Sequence, residues 1–363
     1  MSLELLFLGT GTSAGVPMIG CDCAVCRSSD PRDQRTRPSV MVSYHDASPP
    51  PEVVTHTNGE VCDEEVRNDG SAHKVSKPVS PREASEFAAK HALSPLDIAH
   101  ISPHDGRVRR FIIDTAFELR QQIIRQRIAR IDGVFYTHAH ADHIFGLDDL
   151  RRFNAVMQAP IDIFAEQHTM DILRSTFWYI FEPHRNVNNS FVASLTPRTL
   201  ALNQPVDLFG ARWTPIRLLH GRLPILGFRV DLPDTVSRTG GAHPGAHPGM
   251  LPGAIPGAIP GVIPGVIPGG SLAYCTDVSS IPEESLPLLA NLDVLVLDAL
   301  RYTPHPTHLS IAQSLREVER IKPRQTYFTH MAHDVSHARL ESELPANIRP
   351  AYDGLIVSVR RPL

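Results

Sequence analysis

The sequence predicts a layered α/β fold. Short apolar runs bounded by turn residues alternate with amphipathic stretches along most of the chain. Its 363 residues, 42% of them hydrophobic, are ample for a large core. Two segments interrupt the alternation, one polar and aperiodic, the other a proline repeat.

Residues 5–8 form the first expected strand. Gly9-Thr-Gly11 follows, read as a tight turn because glycine lets two backbones approach closely. It lacks the Gly-Lys-Ser/Thr ending of a phosphate-binding loop. Ser39-Val-Met-Val-Ser-Tyr44 and Arg110-Phe-Ile-Ile-Asp114 are strand-like and flank a first insertion, 47–106. The first part of that insertion has the composition of an unfolded excursion. Its second part carries Ser80-Pro-Arg-Glu83, a capping-box start for a short helix reaching about His91.

Further strands are expected at 134–136, 161–164, 294–297 and 356–359. Leu119, Ile123, Ile124 and Ile128 recur at helical spacing, and Ile311, Leu315, Val318 and Ile321 do so behind a Ser310…Gln313 cap. Asp148, Asp149, Arg151 and Arg152 read as a solvated helix face. The second insertion, 241–270, repeats AHPG, AIPG and VIPG units. Proline at every fourth position forbids a helix, so this apolar run is no membrane span. It reads as turns or a loose arm connecting a hairpin between Leu226-Gly-Phe-Arg-Val-Asp231 and Ser271-Leu-Ala-Tyr-Cys-Thr276, lengthened by duplication. The whole chain, 1–363, is expected to be one domain.

Charge and composition remove several functional classes. The net charge of −4, from 35 basic and 39 acidic residues, argues against a nucleic-acid partner. The N-terminus lacks the basic and long apolar regions of a signal peptide, so cytoplasm is the expected compartment. Of 5 cysteines, three lie at 21, 23 and 26. That spacing suits a metal cluster better than a disulfide framework.

The chemistry is concentrated in Val134-Phe-Tyr-Thr-His138-Ala-His140-Ala-Asp142-His143. An apolar strand ends and delivers four ligand-type side chains. One ion cannot take all four and stay open to substrate, whereas two adjacent ions can. Cys21, Cys23 and Cys26 supply three corners of a tetrahedron; Cys62, Cys275 or a histidine near the main site is the candidate fourth.

The His138-x-His140-x-Asp142-His143 run resembles the signature of the metallo-β-lactamase fold. Gly9-Thr-Gly-Thr-Ser-Ala-Gly-Val-Pro17, the cysteine cluster, Asp30-Pro-Arg-Asp-Gln-Arg-Thr-Arg-Pro-Ser39 and Gly146-Leu-Asp-Asp-Leu-Arg-Arg-Phe-Asn154 resemble the PhnP-like cyclic-phosphate phosphodiesterases. The resemblance implies an αββα sandwich carrying two insertions. It implies one divalent ion, Mn²⁺ or Zn²⁺, on His138, His140 and His220. A second would sit on Asp142, His143 and His330, with Asp277 shared, and a structural Zn²⁺ on Cys21, Cys23, Cys26 and His333. Asp142 then has a catalytic as well as a ligand role, and His308 matches the family's general acid. His305 reads as a solvated loop histidine.

The implied reaction is hydrolysis of a small cyclic phosphate, ribose 1,2-cyclic phosphate among them, by a hydroxide held between two ions. Two ions bring four positive charges; Asp142, Asp277 and the hydroxide cancel three, leaving about one to attract a phosphate. A ribonuclease resembling tRNase Z, or a lactone or thioester hydrolase, would use the same ligands. A non-catalytic binding module is the remaining alternative. The expected partner is a small phosphorylated molecule, with no membrane association; assembly as a homodimer is left open.

Overall fold

The computed structural model describes residues 2–45, 108–185, 187, 190–232 and 266–360. Insertion 47–106, with its expected helix, and positions 241–265 of the proline repeat lie outside the described residues. In chain order the first strands are β1 (Ser2–Gly9), β2 (Ser39–His45), β3 (Val108–Ile113), β4 (Gly133–Phe135) and β5 (Ile161–Glu166). Then come β6 (Leu195–Leu200), β7 (Val206–Leu208), β8 (Ala211–His220), β9 (Leu223–Asp231) and β10 (Val266–Pro268). The last are β11 (Ser271–Cys275), β12 (Val294–Asp298), β13 (Gln325–Thr329), β14 (Ile348–Pro350) and β15 (Ile356–Arg360). They form an eight-stranded sheet, β10-β15-β1-β2-β3-β4-β5-β6, and a seven-stranded sheet, β14-β13-β12-β11-β9-β8-β7.

Period-two alternation explains the layering. Leu3, Leu5 and Phe7 of β1 and Val294 and Val296 of β12 point into the layer between the sheets, with Phe111, Phe135, Trp213 and Phe228. Leu6 and Leu8 point outward under α1 (Leu119–Arg125), α2 (Ala141–Ile144), α3 (Leu150–Met157), α4 (Gln167–Thr176) and α5 (Trp178–Phe181). Leu295 and Leu297 point to the opposite exterior, under α6 (Ile311–Ile321) and α7 (His337–Glu343). The result is an αββα sandwich. Among the described residues, no helix is long and apolar enough to cross a membrane.

Local chemistry sets the boundaries. At the start of α6 the Ser310 amide donates to Gln313 Oε1 at 2.9 Å, which closes the expected cap. α1 departs from expectation: Leu119 and Ile123 are buried, but Ile124 is 59% exposed. Position 124 lies five residues, about 140° around the helix, from Leu119 and so faces water. The helix stops at Arg125, and Arg127 at φ 51° turns the chain so that the Ile128 amide reaches the Ile123 carbonyl at 3.1 Å. That Schellman arrangement returns Ile128 to the core beside Ile123.

The proline repeat also departs from expectation. β9 and β11 pair antiparallel as foreseen, Ser271 opposite Asp231. However, the end of the repeat is not a loop: residues 266–268 form β10, parallel to β15 in the other sheet. Proline is tolerated there because β10 is an edge strand.

Strand direction gives the sandwich two distinct ends. Strands β3, β4, β8, β11, β12 and β13 all finish at the same end, where their following residues gather. The His45–Val108 pair, the Asp231–Ser271 pair and the Ser2–Arg360 pair lie at the other end.

Candidate metal centre

The gathering end carries the chemistry. His138 and His140 lie between β4 and α2, and Asp142 and His143 lie on α2. His220 closes β8, while Asp277 and His330 follow β11 and β13. Ligand atoms of His138, His140 and His220 lie within 4.8 Å of one another, as do those of Asp142, His143, Asp277 and His330. Asp277 and His330 both have φ 60°, a conformation rare outside glycine and concentrated at functional sites.

Hydrogen bonds set which ring nitrogen faces the centre. His143 Nδ1–H donates to Asp114 Oδ2 at 2.8 Å. Asp114 also accepts from the Thr137 amide and hydroxyl, each at 2.8 Å. With its proton committed, Thr137 Oγ1 accepts from His138 Nδ1 at 2.9 Å. His220 Nδ1–H donates to the Thr307 carbonyl at 2.8 Å. With Nδ1 so engaged, His138, His143 and His220 each turn Nε2 toward the centre, the usual outer-shell device at histidine metal sites.

The donor set fits divalent cations. His143 Nε2 and both ring nitrogens of His330 are buried without a hydrogen-bond partner. His138 Nε2 and His140 Nδ1 stand 3.0 Å apart. Two nitrogens bound at about 2.05 Å to one tetrahedral ion would be about 3.3 Å apart, so little movement is required. Asp277 stands between the two groups: its Oδ2 lies 3.3 Å from His143 Nε2 and its Oδ1 3.2 Å from His330 Nε2, and a carboxylate oxygen also lies within 4.8 Å of a ring nitrogen of His220, from the other group.

Charges follow the same arrangement. Burial alone would push the His330 imidazole down, but Asp277 overrides it and holds the group up at about 9. Burial and the neighbouring His143 keep His138 well below the ordinary histidine value. Burial opposes ionisation of Asp277, yet His330 and His143 hold its carboxyl well below the usual range. The cavity is therefore shaped for positive charge.

Beside these residues His308 Nδ1–H donates to the buried Asp298 Oδ2 at 2.7 Å. The His308 ring lies 4.6 Å from those of His220 and His330. Asp298 and Asp114 were not anticipated. Both end an apolar strand run, which is the only sequence signal either gives. His305, read as a solvated loop histidine, is partly exposed and lines an open cleft of about 260 Å³ with Thr12, Ser13, Arg301, His308 and His330.

The second cluster also assembles. Cys21, Cys23, Cys26 and His333 have ligand atoms within 4.8 Å of one another, and Cys21 Sγ lies 3.2 Å from His333 Nδ1. The Cys26 amide, then His333, lowers the Cys23 thiol to about 6, whereas burial raises Cys26 to about 11. Cys275 lies fully buried in β11, away from this group. Gly9 lets the segment leading into β2 pass directly over the end of β1: a Cβ there would fall 2.0 Å from the Arg37 carbonyl.

A family model described as beta-lactamase superfamily domain matches residues 109–240 and 255–331, more than half of the chain. A solved structure described as a new diphosphatase from the PhnP family is 32% identical, covering 99% of this chain and 97% of that one, with a TM-score of 0.65. The human short-form tRNase Z is 14% identical, covering 99% and 100%, with a TM-score of 0.51, a likeness of fold. A curated octanoyltransferase from Porphyromonas gingivalis is 26% identical over 97% of this chain but 51% of its own length. The chain thus spans about half the length of the curated relatives it matches. With the sandwich, the family model and this extent of identity together, the chain belongs to the β-lactamase superfamily of metal-dependent hydrolases and, within it, to the PhnP family.

Proposed function

We propose that the protein is a dinuclear phosphodiesterase that opens a small cyclic phosphate. Two Mn²⁺ or Zn²⁺ ions would sit on the His/Asp centre and one Zn²⁺ on the thiolates. The observation that carries this reading is the placing of two metal-type clusters, joined by Asp277, beside the His308–Asp298 pair. When bound, divalent ions supply a water of lowered pKa and neutralise charge on phosphoryl oxygens.

The protein's own groups complete the reaction. Asp298 accepts a hydrogen bond from His308 Nδ1–H, which stays in place, so the proton that a doubly protonated His308 gives up is the one on Nε2. From there it passes to the leaving oxygen as the P–O bond breaks, and His308 is left neutral. Asp114, through His143 and Thr137, fixes two imidazoles so that neither rotates when substrate arrives. The 32%-identical relative is described as a diphosphatase, which supports a phosphoryl substrate and adds phosphoanhydrides as a second reading.

Turnover of bis-p-nitrophenyl phosphate, 2′,3′-cyclic nucleotides and a ribosyl cyclic phosphate by Mn²⁺- or Zn²⁺-loaded protein tests the proposal. Activity lost on chelation and restored by metal is expected. Hydrolysis of lactones or a tRNA precursor, with no phosphodiester turnover in the small-molecule panel, would overturn it.

A further inference from the structure

Three stretches far apart in sequence meet at Asp353. This residue lies between β14 and β15, and its side chain is 3% exposed. Oδ1 accepts from the Thr10 hydroxyl at 2.8 Å. Oδ2 accepts from the Thr36 amide at 2.8 Å and from the Thr36 hydroxyl at 2.6 Å. The half-exposed Arg125 adds a cation, Nη1 3.8 Å from Oδ2. Burial pushes the Asp353 carboxyl up to about 6 against those donors, so near neutral pH it is an acceptor-only carboxylate. Three donors aimed at one buried group fix the segments that carry them.

Both partners lead to the loop after β13. The Thr10 carbonyl accepts from the Met331 amide at 3.0 Å, and Gly11 bridges to Met331 in parallel. Thr36 follows Arg35, whose buried guanidinium donates to the Ala332 and Val335 carbonyls at 3.1 and 2.8 Å. The Gly11 amide donates to the Thr36 carbonyl at 2.8 Å, which ties the two segments to each other. Asp353 thus reaches residues 331–335 by two routes, and that stretch connects His330 to the far side of His333.

We propose that Asp353 is a positioning residue for His330 and His333. It acts through Thr10 and Thr36, which hold the backbone between the two imidazoles. The inference rests on the reading of His330 and His333 as metal ligands. Without the carboxylate three donors lose their acceptor, the two segments loosen, and the His330 ring is no longer held at one position beside Asp277.

The fold supplies a control. Asp293, ahead of β12 at the opposite end of the sandwich, makes the same kind of clamp. Its Oδ2 accepts from the Gly270 amide at 2.8 Å, the Ser271 amide at 3.1 Å and the Ser271 hydroxyl at 2.9 Å. Wild type, Asp353→Ala and Asp293→Ala are compared by Mn²⁺ competition with a chelator and by hydrogen exchange of the metal-free protein. Asp353→Ala should weaken Mn²⁺ binding by about tenfold or more, as loss of an outer-shell partner does, and speed exchange across 330–335 by about tenfold. Asp293→Ala should lower the Tm as well, yet change both readouts by less than about twofold. Asp353→Asn, which still accepts from Thr36 and can donate to Thr10, should recover most of the affinity. If Asp353→Ala fails to fold, Thr10→Val should cost about two- to tenfold in Mn²⁺ affinity, the worth of one hydrogen bond, and Thr10→Ser should cost nothing. Unchanged affinity in Asp353→Ala or Thr10→Val, even with faster exchange, would overturn the positioning role, as would an equal loss in Asp293→Ala. A wild type that binds no Mn²⁺ would sink the metal centre itself, while exchange across 330–335 still decides whether Asp353 holds the loop.

Discussion

Asp298 buries its carboxylate completely and commits Oδ2 to His308 and the Val278 amide. Replacing His308 by Ala should retain metal but lower kcat by about 10²–10⁴-fold, most for poor leaving groups. Asp298→Asn should lower kcat by about 10–100-fold, the usual cost of losing an outer-shell partner. Steady-state kinetics with metal analysis checks both; metal loss in His308→Ala would reassign it as a ligand. At His330 the sign of the pH effect follows from its value of about 9 in the metal-free protein against about 6.5 when unfolded. The raised value makes the Asp277 contact stabilising below about 6.5, and that contribution is lost as pH rises through about 9. A metal ion bound through His330 would displace the same proton. The Tm of chelator-treated protein should therefore fall across that interval, while affinity for Mn²⁺, read by chelator competition, should rise over it.

At the scale of elements, the legible part of the site was the contiguous part. His138, His140, Asp142 and His143 stand within one loop and turn, so their spacing alone announces a metal. His220, Asp277 and His330 each follow a different strand and had to be placed by family pattern. Asp114 and Asp298 escaped notice because a lone aspartate after a strand reads as turn chemistry; their partners are 29 and 10 residues away. Pro268 misled for a local reason, since a proline that ends a central strand is harmless on an edge. The loop after β13 joins both clusters, with His330 in one and His333 in the other. Buried Arg35 holds that loop through the Ala332 and Val335 carbonyls at 3.1 and 2.8 Å. Cys23→Ser should reduce zinc content and lower the Tm by on the order of 5 °C or more, read by metal analysis and calorimetry. A kcat defect should accompany it only through displacement of His330.

At the scale of the molecule, a layered α/β architecture was readable from the alternation of apolar runs with amphipathic stretches and its αββα form from the family resemblance, whereas sheet order depends on pairings across hundreds of residues. Thr10 and Asp353, for example, bond at 2.8 Å across 343 positions of sequence. The anchors of insertion 47–106, His45 and Val108, pair at the end of the sheet away from Asp114 and the histidines. Replacing 47–106 with a short Gly/Ser linker should therefore leave metal binding at both clusters unchanged, as measured on purified protein; loss of metal from the His/Asp centre relative to the full chain would show that the insertion supports it. The same polarity bears on how such a chain can be altered. Ser2, Arg360 and the mouths of both interruptions share one pole, and the reacting groups occupy the other. Sequence can be appended or grafted at the first pole by pieces as large as another domain while the second keeps its shape, which gives evolution, or an engineer attaching a tag, a permissive hemisphere.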